Sequence, residues 1–158
     1  MTGTTIGSAA VEVVTLDSRT VVGLRERVAP VGMAAFFRRA VEATTAELSR
    51  RGVAPDGPPT AVYRHDWGGE FDVTVGFPVR AAPATGDALV IEKLPAGRAA
   101  RAEHVGPYET MGATYAMLSK WFGQRRYSPP DVMWQEYLVG PDAATESEFR
   151  TRVICPLG

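Results

Sequence analysis

Apolar residues along this chain recur at two periods, and the switches between them lay out the elements. Val11–Leu16 and Thr20–Val28 are short runs rich in β-branched residues, parted by Asp17-Ser18-Arg19. They read as two strands of a hairpin. After Val31-Gly32 the period lengthens, and Met33–Arg51 reads as an amphipathic helix with Ala34, Phe37, Val41, Thr45 and Leu48 on one face. Gly52 is placed to end it, because glycine takes the left-handed conformation at a helix C-terminus without strain. Beyond the loop Pro55–Pro59, Thr60–His65 and Phe71–Val79 are expected to pair as antiparallel strands, with Trp67-Gly68-Gly69 as the turn.

A Pro/Ala/Gly linker, Ala81–Asp87, leads into the same order of elements again. Ala88–Leu94 and Arg98–Val105 read as strands around Pro95-Ala96-Gly97. A helix is expected from Tyr108 to Phe122, with Met111, Tyr115, Leu118 and Phe122 on one face and Gly123 in the capping position of Gly52. Val132–Val139 and Phe149–Cys155 close the half as strands. Particular residues repeat too. Val28-Ala29-Pro30 returns as Val105-Gly106-Pro107, 77 positions later, and Phe71, Val75, Pro78 and Val79 match Phe149, Val153, Pro156 and Leu157 at an offset of 78. By this count Pro30–Gly52 is six residues longer than Pro107–Gly123. The pattern predicts an α+β fold built as a tandem duplication of ββαββ modules, about 11–80 and 88–157, with eight antiparallel strands and two main helices. Each half is too small for its own core, so one domain with a shared interior is expected, and the seam is a natural place for a central ligand cleft.

Composition narrows the function classes. Seventeen basic against eighteen acidic residues give a net charge of −1, which asks for no nucleic-acid partner. Fifteen of the basic residues are Arg and the chain has no Asn, a bias that resembles GC-rich coding more than phosphate binding. No apolar run reaches the roughly 20 residues of a membrane span, and no signal peptide is visible. One cysteine, Cys155, excludes an intrachain disulfide and suits a reducing cytoplasm. His65, His104 and Cys155 are too scattered for a closed zinc site, and no nucleophile or phosphate-binding motif occurs. No metal or cofactor is therefore expected.

The stretch His104-Val105-Gly106-Pro107-Tyr108-Glu109, then a helix, then Trp134-Gln135-Glu136-Tyr137-Leu138 and Gly140-Pro141, resembles the GyrI-like small-molecule-binding domain, which is also the effector-binding domain of some AraC-type and MerR-type multidrug regulators. The resemblance covers Val11 to Leu157. It implies two tandem modules with a cleft between them, and an acidic residue, Glu136 by motif position, that meets amphipathic cations. Ten residues precede the first strand, so no helix-turn-helix domain is expected. The implied function is non-covalent binding of amphipathic, cationic, aromatic small molecules. The alternative is a cofactor-free hydrolase of cyclopropanoid-type genotoxins with Glu136 as general acid/base. A third possibility is a gyrase-interacting protein.

From the residues alone, Glu136 sits among Met133, Trp134, Tyr137, Leu138 and Val139. A buried carboxylate must be compensated, so Glu136 either faces water, pairs with an Arg, or lies in a pocket. Alternation puts Trp134, Glu136 and Leu138 on one strand face, and Trp134 there serves either the core or a cation. Tyr108 and Met111 on the second helix, with Phe36 and Met33 as counterparts on the first, complete the candidate wall, and Trp67 is a candidate lid. His104 is expected to order the turn before the second helix.

Overall fold

The computed structural model describes residues 11–67, 69–81, 88–140 and 145–157, with 65–67 as backbone only. Its elements are β1 (Glu12–Leu16), β2 (Arg19–Val28), α1 (Met33–Arg50), β3 (Thr60–Trp67), β4 (Glu70–Val79), β5 (Val90–Leu94), β6 (Gly97–Val105), α2 (Met111–Gln124), β7 (Met133–Val139) and β8 (Arg150–Pro156). A single 3₁₀ turn leads into each helix, Pro30–Gly32 and Tyr108–Thr110. The fold is α+β, and every described strand pairing is antiparallel. No described helix is long and apolar enough to cross a membrane. Most of the linker 81–87 lies outside the described residues.

The chain divides into two compact units. The first spans Asp17–Ala96; the second joins β1 to the residues from Gly97 onward. The first unit has strand order β3-β4-β2-β5 and the second β1-β6-β8-β7. The expected hairpin of β1 and β2 is therefore absent, and the turn at Pro95-Ala96-Gly97 does not pair β5 with β6. β1 pairs with β6, Leu16 opposite Gly97, and β5 pairs with β2, Leu94 opposite Arg19. Each repeat has lent its first strand to the other. The backbone angles of the connecting residues agree with this. A two-residue hairpin needs a positive φ at its first central residue. Among the described non-glycine residues only Arg126 has one, so Asp17-Ser18 and Pro95-Ala96 do not reverse the chain that way; proline is locked at negative φ.

The duplication extends to the register. Val22↔Phe77, Leu24↔Val75 and Glu26↔Val73 in the first unit become Ala100↔Cys155, Ala102↔Val153 and His104↔Thr151 in the second, each shifted by 78. Thr60↔Gly76 and Tyr63↔Val73 become Trp134↔Ile154 and Tyr137↔Thr151, and a register shift follows in both β3 and β7.

The helices lie against these sheets, α1 on β2 and β4, α2 on β6. α1 buries Phe36, Ala40, Thr44 and Leu48, a face turned by one residue from the expected one; α2 buries Met111, Thr114, Leu118 and Phe122, with Thr114 in place of Tyr115. Beneath α1 the core includes Val22, Val79 and Leu89. Under α2 it includes Ala100, Ala102, Val153 and Cys155. Gly52 caps α1 at φ 68°, with the Val53 N–H donating to Leu48 O at 2.9 Å. Gly123 does not do the same for α2. It lies inside the helix, and Arg126 takes the left-handed position at φ 60°, with the Tyr127 N–H donating to Phe122 O at 3.0 Å. α1 has 18 residues and α2 has 14, a difference of four, about one turn.

Candidate functional site

In the second unit α2 covers the sheet face bearing Ala100, Ala102, Val153 and Cys155. Alternation then places Glu103 on β6, Arg152 and Ile154 on β8, and Trp134 and Glu136 on β7 on the opposite face. Trp134 is 3% and Glu136 6% exposed. Of the three settings open to Glu136, the structure contains the ion pair: Arg152 Nη1 donates to Glu136 Oε1 at 3.2 Å. Glu103, Arg152 and Glu136 stand opposite one another in register across three strands. The other arm of Arg152, Nη2, is 3.8 Å from Glu103 Oε1. The second carboxylate oxygen of Glu103 accepts from Arg150 Nη2 at 2.6 Å. This face carries a buried carboxylate beside a buried indole, with a guanidinium between that carboxylate and a second one. Leu138 falls at the register shift between Tyr137↔Thr151 and Val139↔Arg150, so alternation no longer assigns its face.

Tyr108 and Met111 belong to the helix-covered side. Met111 is buried in the core with Leu118 and Phe122. Tyr108 stacks on Phe149 at 5.1 Å and meets Tyr137 edge-on at 5.9 Å. Burial raises its phenol pKa, so the hydroxyl stays protonated near neutral pH. Nearby, Gln135 donates to the Tyr115 hydroxyl and accepts from the Tyr137 hydroxyl at 2.6 Å. His104 ties the turn to the helix, as its place in the sequence suggested. Nδ1 is 2.9 Å from Thr114 Oγ1, and Nε2 is 3.1 Å from Pro107 O and 2.9 Å from Thr110 Oγ1. A carbonyl can only accept, so Nε2 carries the proton in that contact.

In the first unit Met33 opens α1 half-buried. Phe36 is 1% exposed, with the Arg39 guanidinium 5.2 Å from its ring centre and that Arg paired to Glu26. Trp67 ends β3 opposite Glu70 and so is strand, not turn; its side chain lies outside the described residues. Within each unit, then, the candidates do not converge. Trp134 and Glu136 share a face that Tyr108 and Met111 do not.

The sequence pattern did not single out Glu92. It is 5% exposed on β5, on the first unit's face away from α1. Arg64 Nη2 donates to its Oε1 at 2.6 Å and Thr74 Oγ1 to its Oε2 at 2.6 Å, and Arg25 Nη1 lies 3.9 Å away. The signal was that of Glu136: a carboxylate inside an apolar strand, between Val90 and Leu94 on one face. Cys155 is buried and its thiol pKa is pushed up to about 11 by that burial, which keeps it an unreactive thiol. Among the described residues no group of three or more His, Cys, Asp or Glu is set to hold a metal.

Comparison with known proteins bears on this arrangement. The sequence matches the GyrI-like small-molecule-binding domain over residues 9–157. No curated protein sequence is significantly similar to it. Among solved structures, the EcmrR C-terminal domain is similar at a TM-score of 0.78 and 17% identity, covering 92% of this chain and 95% of that one. EcmrR in its complex with DNA gives 0.79 at 15% identity, over 95% of this chain, which spans only 57% of that chain. SAV2435 bound to tetraphenylphosphonium gives 0.70 at 12% identity, over 95% and 94%. A hydrolase from Listeria innocua gives 0.62 at 13%, over 94% and 92%. At these identities the likeness is one of fold.

Proposed function

The chain belongs to the GyrI-like family of small-molecule-binding domains, and we propose that its ligands are lipophilic aromatic cations, held non-covalently against Trp134 and Glu136. The observation that carries this reading is the pairing of a 6% exposed carboxylate with a 3% exposed indole on one strand face. A carboxylate with little access to water gains from a cation that needs little water itself. An aromatic face adds about 0.5–2 kcal/mol of cation–π attraction. SAV2435, similar in fold, is seen with tetraphenylphosphonium, a cation of this kind. A net charge of −1 supports the further proposal that the chain alone binds no DNA at physiological salt.

The test is calorimetric titration with tetraphenylphosphonium and with neutral triphenylphosphine oxide. Glu136→Gln keeps shape and removes charge. It weakens the cation about tenfold and the neutral ligand by no more than about twofold. Trp134→Ala weakens both. Equal affinity of wild type and Glu136→Gln for the cation removes Glu136 from the site. Recovery of the ligand after long incubation separates binding from turnover: consumption that depends on Glu136 would favour the hydrolase.

A further inference from the structure

Resting on that reading of Glu136, we infer that Arg152 is a built-in competitor for the ligand's place, a tethered cation that sets which cations the site accepts. Three observations carry it. Arg152 Nη1 already occupies Glu136 Oε1 at 3.2 Å. Its Nη2 already faces a second carboxylate, Glu103 Oε1, at 3.8 Å. The three residues stand in one row of the sheet, Glu103↔Arg152↔Glu136, so transfer of the guanidinium from one carboxylate to the other follows the line of the ladder.

Closing 3.8 Å to an ordinary hydrogen bond takes a shift of about 1 Å, within the reach of a side chain that keeps its rotamer. Arg152 is 31% and Glu103 27% exposed, whereas Glu136 is 8% exposed by side chain. The guanidinium therefore moves from a sheltered partner to a wetter one when it leaves. A ligand cation must make good that exchange. Tetraphenylphosphonium has no N–H or O–H to replace the lost hydrogen bond, so it must win by apolar area and aromatic contact. A small hydrated cation brings neither and leaves Arg152 in place. Arg152 is thus a specificity-determining residue: it admits to Glu136 only a cation that can outcompete it, which favours lipophilic cations.

The experiment titrates wild type, Arg152→Gln, Glu103→Gln and Glu136→Gln with three probes: tetraphenylphosphonium, tetramethylammonium and triphenylphosphine oxide. Arg152→Gln tightens tetraphenylphosphonium about tenfold, brings tetramethylammonium into measurable range and leaves the neutral oxide within about twofold. Glu103→Gln removes the receiving carboxylate and weakens tetraphenylphosphonium about threefold, with no change for the oxide. Unchanged or weaker cation binding by Arg152→Gln, while Glu136→Gln still weakens it, overturns the competitor and leaves the Glu136 site standing. Glu136→Gln indistinguishable from wild type overturns both. Should Arg152→Gln fail to fold, Glu103→Gln decides alone, since unaltered cation affinity in that variant overturns the transfer.

Discussion

The same row of the sheet can be read in both units. In the first it is Arg25–Thr74–Val62; in the second, at the equivalent register, it is Glu103–Arg152–Glu136. Backbone pairing is preserved while the charges are rearranged. Glu136 stands where the first unit has a fully buried valine, and Glu92 of the first unit stands where the second has Val14. Among the described residues, each unit thus buries one carboxylate on the face away from its helix, at different places and in different company. Glu92 has two contacts at 2.6 Å from different strands, with a second arginine at 3.9 Å. Glu136 has Arg152 at 3.2 Å, and that arginine is within reach of another acid. The first arrangement ties β5 to β3 and β4; the second is the one we propose to be exchangeable.

The largest expected effect tests another divergence between the rows. Gly23↔Gly76 in the first unit corresponds to Arg101↔Ile154 in the second. A Cβ on Gly76 would overlap Val22 O and the Gly23 backbone. Gly76→Ala should cost about 3 kcal/mol in urea unfolding, and a neutral outcome would mean that the strands can part there freely.

Next in size is Glu92→Gln. It leaves Arg64 and Arg25 without their shared carboxylate, and because both are partly exposed the loss should be about 2 kcal/mol of stability. Glu136→Gln should cost less than about 1 kcal/mol, since Arg152 keeps Glu103 nearby. Equal losses for the two variants would erase the distinction between a structural and an exchangeable carboxylate.

The smallest effect is in acid. Hydrogen bonding from Arg25, against some desolvation, holds the Asp72 carboxyl below its ordinary value. A folded pKa below the unfolded one stabilises the fold above about pH 4, and the contribution is lost as pH falls through the folded value. Asp72→Asn should flatten the pH dependence of stability below pH 4 and leave its shape near neutrality unchanged. An unaltered acid limb would show that the pair does not persist in solution.

Much of this was legible in the chain. The element order, the duplication and its offset of 78 follow from local period and turn residues, and the structure repeats that offset in β2 and β4 against β6 and β8, while β3 maps onto β7 at 74. Glu136 stood out by its apolar neighbours, but they left water, an arginine or a pocket open to it. The helix faces were one residue out in α1, and the capping of α2 fell to Arg126 where Gly123 had looked the better candidate. There a fourteen-residue helix simply ran past a tolerated glycine.

What the sequence could not decide was which strand meets which. β1 and β5 are each two residues from the strand they would join in a hairpin, yet each pairs with a strand of the other repeat. Strand pairing is a contest between alternatives of similar local merit, settled by which arrangement buries both faces and satisfies every backbone group. The partner of Glu136 belongs to the same class of question. An arginine sixteen positions away becomes its neighbour only through the β7–β8 register. Local sequence placed a carboxylate inside an apolar strand; long-range pairing determined that it is buried and which cation already sits beside it.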